Sequence, residues 1–121
     1  MMNPILQVAL GGAAGSVARY GVTRAAAAVS PGFPLGTLIV NVAGSLAMGV
    51  LAAALLPRAG AHAPLLMTGL LGGFTTFSAF SLDAVTLWSR GAQGLAVGYV
   101  AASVALSLAA LALGLSLGRP A

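Results

Sequence analysis

The chain has 121 residues, of which 60% are hydrophobic and 5% are charged, and five basic residues against one acid give a net charge of +4. Soluble domains carry about 25% charged residues, so this composition excludes an ordinary water-soluble domain and indicates a membrane protein. The basic residues are scattered, which argues against nucleic-acid binding, and the absence of cysteine excludes disulfides and thiolate chemistry.

Charged residues and proline–glycine clusters divide the chain into four apolar segments. The predicted spans cover residues 4–29, 35–56, 64–88 and 92–117. Each has roughly 20 residues or more, which is enough to cross a hydrocarbon core of about 30 Å. We therefore predict an all-α membrane protein with four transmembrane helices, forming a single membrane domain over residues 1–121.

The first span contains Arg19 and Arg24 in its second half. With four spans, Arg58 and Arg119 would lie on one side of the membrane, and Arg24 and Arg90 toward the other. The excess of positive charge that normally fixes orientation is then almost absent. This pattern leads to a hypothesis of dual topology, in which two opposed copies pair as an antiparallel homodimer.

The second span carries a polar stripe. Thr37, Asn41 and Ser45 follow one another at intervals of four residues, which puts them on one face of a helix. Polar residues inside a membrane are functional candidates by default. Two interpretations stay open: hydrogen bonds between helices, worth about 0.6 kcal/mol each on average, or a polar track for an ion.

The third span contains a predicted break at residues 72–76. Paired glycines, Gly72 and Gly73, precede two β-branched residues, Thr75 and Thr76, and both features disfavour a continuous helix. Non-helical backbone at membrane depth is tolerated only where it is buried in protein or lines a polar cavity. Broken membrane helices commonly mark ion or substrate sites, and carbonyls at this one would suit a structural cation.

Two aromatic residues follow the break. Phe77 and Phe80 are three residues apart and would share a face once the helix resumes. They are ordinary packing residues or, alternatively, rings whose positive edges face an anion. Asp83 is the only acid, and we expect it to cap or to pair within the third span, where an arginine of this chain or of a partner is the candidate counterpart.

The fourth span repeats the polar spacing of the second, with Tyr99, Ser103 and Ser107 at intervals of four residues. Cation pores usually present acidic side chains or carbonyls, whereas hydroxyl, amide and arginine donors dominate here. The residues alone therefore predict an anion-conducting protein. They do not supply a nucleophile, a base and an orienting group together, so we do not expect an enzyme.

Three motifs closely resemble the Fluc (CrcB) family of fluoride channels. They read Gly11-Gly12-x-x-Gly15-x-x-x-Arg19-Tyr20, Gly36-Thr37-x-x-Val40-Asn41-x-x-Gly44-Ser45 and Gly72-Gly73-Phe74-Thr75-Thr76-Phe77-Ser78-x-Phe80-Ser81. The resemblance implies an antiparallel, dual-topology homodimer in the cytoplasmic (inner) membrane, with two fluoride pores along the subunit interface. It also implies passive export of fluoride, which protects the cell against fluoride toxicity.

The resemblance also implies roles for individual residues. Phe77 and Phe80 would line the pore as an aromatic box, and Asn41 would donate to fluoride from the second span. Tyr99, Ser103 and Ser107 would form a polar track, with Thr37 also among the pore residues, and Arg19 would lie at the aqueous vestibule. The carbonyls of Gly72 and Thr75 would bind a structural sodium ion at the dimer centre. Ala79 departs from the family pattern, which often has a hydroxyl residue there.

Two rival functions are weighed against the channel. A small, dual-topology multidrug exporter would need a titratable acid in the membrane near its substrate, yet the single acid of this chain lies late in the third span and the first span has none. A membrane scaffold without transport activity is the other alternative. Fluoride efflux from liposomes would separate a channel from a scaffold.

Overall fold

In a computed structural model that describes residues 2–58 and 60–120, the described residues form helices and no strands. The elements in chain order are α1 (Pro4–Val29), α2 (Leu35–Leu55), a 3₁₀ turn (Leu56–Arg58), a π-helix (Pro64–Leu71), α3 (Gly72–Phe74), α4 (Phe77–Ser89) and α5 (Gln93–Gly118). The prediction of an all-α protein is confirmed.

Local chemistry explains where several helices begin and end. Asn3 caps α1, because its side-chain oxygen accepts a hydrogen bond of 2.8 Å from the amide of Ile5, and Pro4 at the first position needs no hydrogen-bond partner for its nitrogen. Thr76 caps α4 in the same way, accepting from the amide of Ala79 at 3.2 Å. Gly91 turns the chain into α5 with φ of 89°, a conformation that glycine adopts at little cost.

Three helical segments are long and apolar enough to cross a membrane: Leu35–Arg58, Pro64–Ser89 and Gln93–Gly118, with mean hydropathies of 2.1, 1.5 and 2.2. This indicates a multi-pass membrane protein. The helix α1 is not in that set, although its 26 residues give it a length of about 39 Å. Four spans therefore stay a prediction, with α1 as the fourth.

Two close helix pairs organise the packing: α2 lies against α5, and α1 lies against the π-helix and α3. Glycines make both contacts possible. A methyl group at Gly49 of α2 would lie 2.8 Å from the amide nitrogen of Leu115, and one at Gly15 of α1 would lie 2.8 Å from that of Phe74. Real side chains do not approach so closely, so these glycines permit backbone contact within one chain.

The stripe formed by Gly94 and Gly98 behaves differently, because a methyl group at either position would meet nothing within 4 Å. This stripe is not used for packing among the described residues. The buried core lies elsewhere, where Phe80 and Leu87 of α4 pack against Ala96 and Tyr99 of α5.

Candidate functional site

The helical path through the third predicted span is interrupted at two residues. Thr75 (φ −90°, ψ 159°) and Thr76 (φ −153°, ψ 124°) are extended between α3 and α4. The sequence predicted non-helical backbone at both neighbouring glycines as well, but Gly72 has helical angles (φ −62°, ψ −38°) and Gly73 lies within α3. That part of the prediction is wrong. A methyl group at Gly73 would lie 2.7 Å from the carbonyl oxygen of Gly12, so this glycine permits close packing on α1.

Asn41 holds the extended segment from α2. Its side-chain oxygen accepts a hydrogen bond of 2.8 Å from the amide of Thr76, and its side-chain nitrogen donates one of 3.0 Å to the carbonyl of the same residue. The carboxamide thus pairs with both backbone groups of Thr76, as a neighbouring strand would. Asn41 therefore joins the second span to the third through the backbone of Thr76, which agrees with the first of the two interpretations of the polar stripe.

At the interruption, two backbone carbonyls accept hydrogen bonds from side chains, and two others lose the donors that a continuous helix would supply. Arg19 Nε donates to Gly73 O at 3.0 Å, and the carbonyl of Thr76 is bound by Asn41. The amide of Thr76 donates to Asn41 and the amide of Ala79 donates to the Thr76 hydroxyl. The carbonyls of Gly72 and Thr75 lose their usual helical donors as a result. Carbonyl oxygens of this kind are suitable ligands for a hard cation.

Three aromatic rings continue the site from α4 into α5. The centroids of Phe77 and Phe80 lie 5.6 Å apart with planes inclined at 54°, and those of Phe80 and Tyr99 lie 5.3 Å apart at 46°. Phe80 is 8% exposed and Tyr99 is 1% exposed, whereas Phe77 is 78% exposed. The two phenylalanines are therefore in contact, but one belongs to the core of the chain and the other points away from it.

Asp83 accepts a hydrogen bond of 3.1 Å from the hydroxyl of Tyr99. This bond leads to the fourth span, so the expected cap or pair within the third span is not found among the described residues, and a pair with an arginine of a partner chain stays a prediction. The nearby arginine at the end of α4, Arg90, instead donates to the carbonyl of Gly32 at 2.7 Å. The aspartate thus joins α4 to α5, and the arginine joins the α4–α5 turn to the loop between α1 and α2.

The predicted pore residues are divided between two cavities. A cavity of about 390 Å³ is lined by Asn41, Ser45, Thr75, Thr76, Phe77, Phe80, Ser103 and Ser107, together with apolar residues of α2 and α5. A second cavity, of about 340 Å³, is lined by Thr37, Asp83, Thr86 and Arg90 among others. Arg19 and Tyr99 line neither. Tyr99 lies between them, since it stacks on Phe80 of the first cavity and binds Asp83 of the second.

Ser103 has the most unusual position in the first cavity, which we call the α2–α5 cavity. Ser103 is 5% exposed, and its hydroxyl is buried without a hydrogen-bond partner among the described residues. A buried, unpaired hydroxyl is uncommon in native structures and calls for an explanation such as a missing ligand or water. Its position on the cavity wall makes it a candidate donor to a bound ion.

Comparison with known proteins identifies clear relatives. The family model described as CrcB-like protein, Camphor Resistance (CrcB), matches residues 6–115. A protein of Paracoccus denitrificans (strain Pd 1222) named Fluoride-specific ion channel FluC is 64% identical over 120 residues, covering 98% of this chain and 97% of the relative. Proteins with the same name are 57% identical over 120 residues in Cereibacter sphaeroides (strain ATCC 17029), with 98% and 97% covered, and 52% identical over 124 residues in Agrobacterium fabrum, with 98% of each covered.

Proposed function

The chain belongs to the CrcB family, and we propose that it is a fluoride-specific ion channel, which exports fluoride passively across the cytoplasmic membrane and protects against fluoride toxicity. It is a channel and not an enzyme. The observation that carries this function is the lining of the α2–α5 cavity by both Asn41 and Ser103, whose buried hydroxyl has no hydrogen-bond partner among the described residues.

Fluoride suits the donors of the α2–α5 cavity. It is small and strongly hydrated, so a pore must replace its water with several converging hydrogen-bond donors. Ser103 and Ser107 each carry one hydroxyl donor and follow one another by four residues on α5. The amide group of Asn41 has two hydrogens, of which one binds Thr76 O, so the second is available to an anion.

The aromatic rings supply an uncharged part of the cavity wall. Phe77 and Phe80 both line the cavity, and the edge of a phenyl ring carries partial positive charge that attracts an anion. Chloride is larger and gains less from each donor. Selectivity for fluoride over chloride then follows from the combination of short-range donors with limited space.

A second copy of the chain in antiparallel orientation completes the pore. Two observations support this arrangement. Phe77 is 78% exposed although it lines the cavity, and a methyl group at Gly94 or Gly98 would meet no atom of the described residues within 4 Å. The small residues of such a stripe permit close approach of helices. The even distribution of arginines in the sequence agrees with insertion in both orientations.

We also propose that the carbonyls of Gly72 and Thr75 hold a structural sodium ion at the centre of the dimer. Both have lost their usual helical donors, because the amides of Thr76 and Ala79 bind side chains instead. Neutral carbonyl oxygens suit a hard cation. The ion would supply positive charge close to the anion route, while the chain itself keeps these oxygens in position through Asn41 and Arg19.

Liposome efflux tests the channel function. The purified protein is reconstituted in liposomes loaded with potassium fluoride and potassium chloride, and a potassium ionophore is added to start efflux. We expect release of fluoride and retention of chloride, with neither ion released from protein-free liposomes. Folded protein that releases no fluoride would contradict the channel and favour a scaffold.

Orientation is tested separately, with C-terminal reporters that are active on opposite sides of the membrane. We expect both reporters to give signal, because copies in both orientations are needed for an antiparallel dimer. A signal from only one reporter would exclude dual topology while leaving the efflux result unaffected.

A further inference from the structure

One face of α1 follows the π-helix and α3 from beginning to end. Gln7, Gly11, Gly15 and Arg19 are spaced by four residues and therefore share this face. Their contacts advance along the neighbouring segment, from Leu65 at Gln7 through Leu70 to Gly73 and Phe74 near Gly15 and Arg19. The two helices thus run in the same direction, and each of the four residues marks one level of the contact.

Gln7 holds the beginning of the segment. Its side chain is nearly fully buried, at 3% exposure. The side-chain oxygen accepts a hydrogen bond of 3.2 Å from the amide of Leu65, and the side-chain nitrogen donates one of 3.0 Å to the carbonyl of Met2. Amides in the first turn of a helix have no partner within the helix, so Gln7 supplies one from outside.

The two glycines let the segment lie directly against α1. A methyl group at Gly11 would lie 2.7 Å from the amide nitrogen of Leu70, and one at Gly15 would lie 2.8 Å from that of Phe74. Backbone therefore contacts backbone over two helical turns.

Arg19 holds the end of the segment, where its Nε donates to Gly73 O at 3.0 Å. The extended pair Thr75–Thr76 begins two residues later. The distance from Gln7 to Arg19 is 12 residues, or about 18 Å along the helix. Both ends of the segment are therefore fixed to one rigid element.

The π-helical form gives this attachment its importance. Hydrogen bonds from i to i+5 are rare and persist where surrounding contacts maintain them. If the segment relaxed to an α-helix, the same residues would occupy a greater length. Thr75 and Thr76 would then move away from the position in which Asn41 binds them.

We propose that Gln7 is a positioning residue for the ion pathway: by holding the first amide of the π-helix, it sets the position of the interruption at the other end. This role rests on the proposed channel function. Gln7 contacts no residue of the α2–α5 cavity in the described hydrogen bonds, so any effect on conduction must pass through the π-helix.

The first test replaces the glutamine with an apolar side chain of similar length. Gln7→Met removes both hydrogen bonds, and Gln93→Met makes the same change at the exposed start of α5 as a matched control. Loss of the partner of a partly buried amide predicts a decrease in fluoride efflux of about tenfold for Gln7→Met, with wild-type efflux for Gln93→Met. Equal efflux from both variants would overturn the role of Gln7.

Hydrogen–deuterium exchange gives a measurement that does not depend on fluoride transport. We expect amides from Leu65 to Gly73 to exchange about tenfold faster in Gln7→Met than in Gln93→Met. Absence of efflux from the wild type would refute the proposed channel function, and the exchange result would still decide whether Gln7 fixes the segment. Unchanged exchange would refute the positioning role even where efflux is reduced.

A double-mutant cycle separates a common clamp from two local effects. Residues about 18 Å apart normally act independently, so their effects multiply. If Gln7 and Arg19 hold one segment, Gln7→Met combined with Arg19→Gln should reduce efflux by less than the product of the two single reductions. A simple product would refute the common clamp.

Should Gln7→Met fail to fold, Gln7→Glu, which keeps the oxygen acceptor, takes its place in the exchange measurement and is expected to give near wild-type rates. Rates about tenfold faster would refute the role of that acceptor.

Discussion

Replacing Asn41 with alanine is the most direct test of how the interruption is maintained. The change removes both hydrogen bonds to the backbone of Thr76, of 2.8 Å and 3.0 Å. It leaves the extended backbone and the aromatic residues chemically unchanged. Any loss of conduction then reports the position of the backbone, together with the loss of one donor from the cavity.

The size of the effect follows from the two bonds. Each hydrogen bond contributes about 1 kcal/mol net, and leaving partly buried backbone groups unpaired adds to the cost. A total of about 2–3 kcal/mol shifts the equilibrium between held and released backbone by roughly 30- to 150-fold. We therefore expect Asn41→Ala to reduce fluoride efflux by at least about tenfold, since the released backbone no longer forms the cavity wall.

The assay compares ionophore-triggered fluoride efflux with thermal unfolding of the same preparations in detergent. Val42→Ala, at the next position of α2, is the control, because it shortens a side chain without removing a hydrogen bond to Thr76. We expect the control to retain most of its efflux. Wild-type efflux and unfolding temperature in Asn41→Ala would show that these two hydrogen bonds do not maintain the site.

The remaining predictions concern packing and donors. Phe80→Ile should reduce fluoride efflux by about tenfold or more, because it removes a ring edge from the cavity wall. Gel filtration should show the same oligomer as for the wild type, and normal efflux would refute the role of the aromatic rings. Ser103→Ala should change the free energy of unfolding by less than about 0.5 kcal/mol, since the hydroxyl has no partner among the residues that the structure describes, but should lower fluoride efflux. A large loss of stability would contradict the absence of a partner. Gly15→Ala should destabilise the protein by about 1–3 kcal/mol because its methyl group would overlap α3, whereas Gly21→Ala, with open space around it, should have no such effect in thermal unfolding.

The sequence was sufficient for the helices and the family. Charges and prolines predicted segments at 4–29 and 35–56, and the structure has helices at Pro4–Val29 and Leu35–Leu55. The agreement is close because charged and turn-forming residues are few in this chain and therefore mark the ends of its apolar helices. The three motifs predicted CrcB membership, which the family match and the curated relatives confirm. The roles of the individual pore residues and of sodium stay predictions.

Details that depend on contacts between distant residues were not predictable. The π-helix has no local sequence signature, and it is supported by Gln7, which lies 58 residues before Leu65. Gly73 was assigned to the interruption because glycine favours unusual backbone, whereas its actual constraint is the backbone of α1. The hydrogen bond between Tyr99 and Asp83 also depends on how α4 and α5 meet.

Main-chain ligands would have a genetic consequence for this protein. A carbonyl oxygen cannot be deleted by changing a codon, so a cation held by Gly72 and Thr75 would survive most substitutions at those two positions. Screens for loss of function would instead identify the residues that shape the backbone around it, such as Asn41 and Arg19. Mutations that abolish the ion site would then fall at the neighbouring residues and not at the ligands themselves.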